Sequence, residues 1–394
     1  MEPLTIERLR VLVADDAANM RRTVRNMLRA LGVPHVVEAD NGESAWEALT
    51  SRDVNFVICD WHMPRLPGME LLRRVRDNAE LRDIPFLMIT AEVSESRIAQ
   101  AAETEVDGYL LKPFMAKTLE EKIHLILRKK ERPSQFDIHM RNGRLLAERK
   151  IFDESLTEYR KALELKPDSA RARHAIGEVC LMTGNVSKAE QWLLEAARAN
   201  PQYVRAHEAL GEFYQSQGRD DRAVAFLERA SEISPHSAER QLRLGKLYLK
   251  GGDPRKADLA FQAALESDAL NANLRTEIGE IYLASGEENK AAAAFKSSLS
   301  LVESVHVYNR LGIALRRKKR YDEAIKEYQK AIKVAPNDEA IYYNMGRAFL
   351  EMGDYAKAEE SLARALELDA DFTECRELLG KVRSGDRSVR NSAG

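Results

Sequence analysis

Five residues spread over nearly a hundred positions have side chains that could act together: Asp15, Asp16, Asp60, Thr90 and Lys112. Each stands at or just past the end of a short apolar run. If the fold gathers those run ends on one rim, three carboxylates meet one ammonium and one hydroxyl. Carboxylates crowded in this way repel one another, and a divalent cation relieves the repulsion. Hard oxygen donors with open positions suit Mg²⁺.

The elements that must position these residues follow from the apolar pattern. Residues 10–14 (RVLVA), 36–39, 55–59 (NFVIC), 85–90 (PFLMIT) and 108–111 read as five strands. Helical periods fill 18–31, 43–51, 69–78, 95–103 and 116–129 between and after them. Continuous apolar strands separated by helices predict parallel pairing through right-handed crossovers. The expected fold is a doubly wound, flavodoxin-like α/β domain with a five-stranded parallel sheet. Its ligand site should lie at the carboxyl ends of the strands. Cys59 is expected to point into the sheet core.

After a polar linker, 131–135 (ERPSQ), the texture changes to repetition. Glycines stand at 143, 177, 211, 245, 279, 312, 346 and 380, spaced by 34 or 33 residues. Two columns of small residues keep the same register, one at 155, 189, 223, 257, 291, 324 and 358, the other at 162, 196, 230, 264, 298, 331 and 365. Small side chains at a fixed period let antiparallel helices approach closely, with Tyr159, Phe226, Phe261, Phe295 and Tyr328 filling the space between. One helix pair cannot bury its apolar face alone, so an all-α stacked array is expected. Lys150 stands where later units often have glycine.

Composition narrows the function classes. The chain has 394 residues, with 61 Lys+Arg against 63 Asp+Glu. Neither part is basic, which argues against a nucleic-acid partner. Three cysteines without metal-ligand spacing point to a reducing cytoplasm rather than a disulfide scaffold or a zinc site. No signal-peptide pattern opens the sequence, and no apolar run is long enough to suggest a membrane span. The histidines form no ligand pair at helical spacing, and no Gly-x-Ser-x-Gly elbow occurs.

The string Asp60-Trp61-His62-Met63-Pro64, with Asp15-Asp16, Thr90-Ala91 and Lys112-Pro113-Phe114, resembles the receiver domain of bacterial response regulators over about residues 8–129. It is most similar to CheY-like chemotaxis receivers. The resemblance implies that Asp60 accepts a phosphoryl group from a sensor histidine kinase. It implies that Asp16 and Asp60 bind Mg²⁺ directly, Asp15 through water, and His62 through its backbone carbonyl. Thr90 and Lys112 would engage the phosphoryl oxygens, and Tyr109 would turn inward as Thr90 moves. The face formed by 95–103, 108–111 and 116–129 would then change shape. His62 and Glu92 stand at positions that tune water access. Ser94-Glu95 is neutral or acidic where flagellar-switch binders tend to be basic.

The second part resembles a tetratricopeptide array, with units at 136–169, 170–203, 204–237, 238–271, 272–304, 305–338 and 339–372. A capping helix is expected at 373–384 and a disordered tail at 385–394, leaving 1–130 as the receiver. By that likeness, the first helices line a ligand groove. Its positions include His174, Glu178, Arg205, Glu208, Glu212 and Glu239, and then Asn309, Arg316, Tyr343 and Arg347, a cationic set suited to an acidic or extended peptide. The run 316–320 (RRKKR) reads as a solvated turn. With repeats, cap and tail filling the chain after 135, two readings stand. One is a response regulator whose phosphorylation controls the array's protein contacts, in chemotaxis or related signalling. The other is a scaffold whose receiver only docks. An enzyme acting on an external substrate has no candidate site.

Overall fold

The computed structural model describes residues 5–91, 106–235 and 237–385. The expected helix 95–103, Glu92, Ser94-Glu95, His236 and the tail from 386 lie outside the described residues. The chain divides into two compact units, 1–267 and 268–394.

In the first unit a five-stranded parallel sheet forms from β1 (Arg10–Ala14), β2 (His35–Ala39), β3 (Phe56–Asp60), β4 (Phe86–Thr90) and β5 (Gly108–Leu111), in the order β2-β1-β3-β4-β5. This is the doubly wound order whose switch point falls between β1 and β3. A short 3-10 turn at Ile6–Arg8 precedes β1 and was not signalled by the sequence. The helices are α1 (Ala18–Ala30), α2 (Gly42–Ser51), α3 (Gly68–Asp77) and α4 (Ala116–Glu131). Val24, Leu28, Leu119 and Ile123 of α1 and α4 pack with Val11, Val13, Ile58 and Ile89 on one face of the sheet. Ala45, Leu49, Leu71, Leu72 and Val75 of α2 and α3 cover Leu12, Val57, Cys59 and Met88 on the other. With both faces covered, the central strands β3 and β4 have no polar side, and all five residues of each are buried. Asn41 caps α2 by accepting from Ser44 N at 2.9 Å, while the Ser44 hydroxyl answers Asn41 N.

Helix pairs follow: α5 and α6 (Gln135–Glu148, Phe152–Leu165), α7 and α8 (Ala170–Met182, Val186–Ala199), α9 and α10 (Val204–Ser216, Asp220–Ile233), and α11 and α12 (Ala238–Lys250, Pro254–Ser267). The second unit holds α13 and α14 (Ala272–Ala284, Glu288–Leu299), α15 and α16 (Val305–Arg317, Tyr321–Val334), α17 and α18 (Glu339–Met352, Tyr355–Leu368) and a last helix, α19 (Thr373–Arg383).

The glycine column explains the close approach. A Cβ at Gly245 would lie 2.2 Å from the Phe261 ring, and one at Gly312 2.4 Å from Tyr328. In every pair the side chain covering the glycine comes sixteen residues later, from Tyr159 at Gly143 to Leu362 at Gly346. At Gly211 that residue is Leu227, not the expected Phe226, which instead stacks on Tyr214 at 5.5 Å. Gly380, on the last helix, has nothing within 4 Å of a Cβ. The two serines in the small columns satisfy their buried hydroxyls locally: Ser155 donates to Gly143 O at 2.7 Å and Ser298 to Ala272 O at 2.9 Å. The turn inside each pair needs a left-handed residue. Gly184, Gly218, Gly252, Gly286 and Gly353 supply it, and Lys150 and Lys319 adopt it at φ 62° and 59°.

Candidate functional site

The strand register builds the rim. Asp15 follows β1, Asp60 ends β3 and Thr90 ends β4, while Lys112 N donates to Thr90 O at 2.8 Å across the β4–β5 edge. Asp15 and Asp60 are buried and Asp16 is exposed. Carboxylate oxygens of the three lie within 4.8 Å of one another. Lys112 Nζ stands 2.7 Å from Asp15 Oδ2 and 3.0 Å from Asp60 Oδ2. The remaining oxygens are held by backbone: Ala17 N donates to Asp15 Oδ1 at 2.9 Å, and Trp61 N to Asp60 Oδ1 at 2.8 Å.

Burial raises the Asp60 carboxyl above its ordinary range; the hydrogen bond and charge of Lys112 oppose this, and the charge of Asp15 adds to it. Burial also works against the Lys112 ammonium, but its bonds to Asp15 and Asp60 outweigh that and raise it. Burial drives the Cys59 thiol well up, so it stays a protonated core group, donating to Asp60 O at 3.2 Å. Three carboxylates against one ammonium leave an anionic excess with hard oxygen donors at the mouth. That chemistry fits Mg²⁺, which receiver domains bind at such a cluster.

Two residues that type and spacing did not single out complete the rim. Arg21 donates to the backbone carbonyls of Asp15 at 2.7 Å and Asp16 at 3.1 Å, fixing the turn that presents both acids. Gly68 opens α3 hard against the Asp60 backbone: a Cβ there would lie 2.1 Å from Asp60 O. Gly68 N also donates to Trp61 O at 3.1 Å. Thr90 is buried, His62 is exposed in the 61–67 loop, and Tyr109 is half-buried with Lys122 Nζ 6.0 Å from its ring centre. Glu92 lies outside the described residues.

The structure treats the cationic positions of the later groove differently from a free cationic surface. Arg316 is 4% exposed, ends α15 with Arg317, and is ion-paired with Glu351. The solvated-turn reading therefore does not hold for Arg316; Lys318 to Arg320 form the turn. Asn309 accepts from Asn344 at 3.0 Å, Tyr343 packs on Phe372 at 4.8 Å, and Arg347 lies over the Tyr343 ring at 5.8 Å. Burial lowers the Arg347 guanidinium from its ordinary value, and the neighbouring Arg316 charge adds to this.

Residues 11–124 match the response regulator receiver domain family, and residues 140–204, 214–269, 242–304 and 303–371 match tetratricopeptide repeat families. The chain is 44% identical over 126 residues to chemotaxis protein CheY-3 of Vibrio cholerae serotype O1, a span covering 32% of this chain and 97% of that protein. It is 43% identical over 118 residues to chemotaxis protein CheY of Pseudomonas aeruginosa, covering 30% and 95%. Solved structures similar to the chain include a tetratricopeptide repeat protein from Parabacteroides merdae, at 13% identity and TM-score 0.40, covering 63% of this chain and 99% of that one. Another is YrrB, described as a TPR protein with an unusual peptide-binding site, at 20% identity and TM-score 0.37, covering 47% and 96%. Among the described residues no helix is long and apolar enough to cross a membrane.

Proposed function

Because the chain belongs to the response regulators, with a receiver domain followed by tetratricopeptide repeats, we propose that it is a phosphorelay adaptor whose output is protein contact. A sensor histidine kinase supplies the phosphoryl group, Asp60 receives it, and the phosphorylation state controls what the array binds. The observation that carries this reading is the ammonium of Lys112 shared between Asp15 and Asp60 at the rim. In the transfer an Asp60 oxygen attacks phosphorus; the O–P bond forms as the P–N bond to the kinase imidazole breaks, and the nitrogen keeps that electron pair. Lys112 then faces a group carrying close to two negative charges.

Asp15, Asp16, Asp60 and the His62 carbonyl would hold Mg²⁺, which when bound offsets charge on the transferring oxygens. Thr90 donates its hydroxyl to a phosphoryl oxygen, Tyr109 follows it inward, and His62 and Glu92 govern how water reaches the acyl phosphate. We place the protein in the cytoplasm, acting on itself rather than on an external substrate, with motility signalling as its setting.

Trp61 adjoins Asp60 and reports on it. Mg²⁺ and then beryllofluoride should change its emission, and Asp60→Asn should remove the beryllofluoride response; Trp46 and Trp192 supply a constant background. No change in the wild type would overturn the reading. A second reading, a scaffold whose receiver only docks, is favoured by ion pairs between the receiver and the array, Arg73–Glu208 at 2.9 Å and Arg205–Asp77 at 3.1 Å. Partner binding indifferent to Asp60→Asn and to beryllofluoride would select it.

A further inference from the structure

Helix α3 of the receiver carries its exposed side into the array. Arg73 is held by Glu70 on its own helix at 3.2 Å, donates to Glu208 of α9 at 2.9 Å, and lies 3.7 Å from Glu239 of α11. One turn further on, Asp77 accepts from Arg205 of α9 at 3.1 Å. The loop after α3 adds Arg82 to Glu148 and Asp83 to Arg144. Arg73, Asp77, Arg205, Glu208 and Glu239 meet around a cavity of about 260 Å³ lined mainly by α7, α9 and α11, the first helices of three successive pairs.

The cavity is built, not incidental. Arg240 is 3% exposed and bonds Glu208, Ser231 Oγ at 3.2 Å and Ser234 O, so it belongs to the array whatever the receiver does. Arg243 likewise pairs with Glu212 and with Glu239 at 3.3 Å. The array thus sets Glu178, Glu208, Glu212 and Glu239 against Arg205, Arg240 and Arg243 around this cavity, one carboxylate in excess. Arg73 brings its guanidinium to two of those carboxylates, Glu208 and Glu239, and is raised by the carboxylates around it against the cost of its burial. Asp77 in turn answers Arg205.

We propose that this cavity is a recognition site for a helix presenting an arginine and, one turn later, a carboxylate. Helix α3 borders it in cis through Arg73 and Asp77, and a partner protein presenting the same pair on a helix takes the place of α3 in trans. The planar fork of a guanidinium, with several donors, suits two carboxylates on different helices, where a lysine ammonium offers only a point charge. Because α3 begins against the backbone of Asp60 through Gly68, the cis occupant is tied to the phosphorylation site by a single short loop. Only that link to Asp60 rests on the reading above; the site itself does not.

The probe is a stapled alanine-based helical peptide with Arg and Asp four residues apart, titrated against full-length chains by fluorescence anisotropy. Cutting the cis contacts with Arg73→Ala/Asp77→Ala, which frees Glu208, Glu239 and Arg205, should tighten binding at least tenfold over the wild type. Adding Glu208→Gln should abolish that gain. Glu239→Gln, at a position 70% exposed and outside any core, should reduce it without disturbing the fold. A peptide with Gln in place of Arg should not bind. Binding that ignores Arg73 and Asp77, or that survives both glutamine changes, overturns the proposal. The Trp61 response to beryllofluoride, read on the same samples, separates the two ideas. Its presence without peptide preference sinks the recognition site alone; its absence beside a tenfold gain sinks the phosphorelay reading alone.

Discussion

The receiver rim and the array cavity are both built from carboxylates around a cation, half-buried at Lys112 and buried at Arg240, and they resolve the charge in opposite ways. At the rim one ammonium, Lys112, serves Asp15 and Asp60 while Asp16 stays exposed, so negative charge is left over at the mouth. In the cavity one carboxylate, Glu208, serves two guanidinium groups, Arg73 and Arg240, and Asp77 meets Arg205, so Arg73 and Asp77 each have a partner of opposite charge on the array. A site that must take up a cation and then a phosphoryl group keeps an unmet charge. A site met by its own chain has its cations paired already. The difference lies in supply: the rim draws its groups from strand ends within one domain, whereas the cavity borrows Arg73 from another.

The comparison can be broken most severely at the rim. Asp60→Asn should abolish incorporation of label from radioactive acetyl phosphate, since no neighbouring carboxylate takes its place. Label retained by that variant would place the phosphoacceptor elsewhere.

The array should answer instead in stability. Gly245→Ala puts a methyl 2.2 Å from the Phe261 ring and should cost about 1–3 kcal/mol in urea unfolding of the full chain. Gly380→Ala meets nothing within 4 Å and should gain roughly 0.5–1 kcal/mol from helix propensity. Equal effects at the two would show that packing does not explain the glycine column. Lys319→Gly, at φ 59°, should stabilise by about 1 kcal/mol, because a side chain is strained there and five of its counterparts are glycines.

The smallest effect is one of pH. Burial, opposed by a hydrogen bond to the Pro201 carbonyl and reinforced by Arg229, holds the His207 imidazole below its ordinary value. The folded chain therefore binds that proton less readily than the unfolded chain. Its contribution is whole above the unfolded value near 6.5 and is lost as pH falls from there through the lower folded value. His207→Gln should flatten the fall in melting temperature between about pH 6.5 and 5; an unchanged slope would assign it to other groups.

The sheet was legible because β3 and β4 are buried on both faces, which leaves an unbroken apolar run ending at a polar residue. Asp15, Asp60 and Lys112 could be assigned to one rim from that alone, since parallel strands put their carboxyl ends together. Arg21, part of the string Met20-Arg21-Arg22 that carries the CheY-like resemblance, was given no role because it acts through backbone carbonyls, which residue type does not reveal. In the array, the column from Gly143 to Gly346 predicted close helix contacts, and the sixteen-residue offset to the covering side chain holds throughout. Aromatic size drew attention to Phe226 at Gly211, whereas the sixteen-residue register falls on Leu227; adjacent helical residues point about 100° apart, so Phe226 faces Tyr214 instead.

By itself the sequence determined what local periodicity can encode: five buried strands with acids at their ends, and helix pairs repeating every 34 or 33 residues. Backbone sterics and apolar burial act over a few residues, so their pattern is written along the chain. Only the tertiary structure decided that Arg73 would meet Glu208, 135 positions away, and that Arg316 would be buried against Glu351. Those pairings depend on how one packed body is seated on another and on side chains that break the repeat, and neither leaves a period to read.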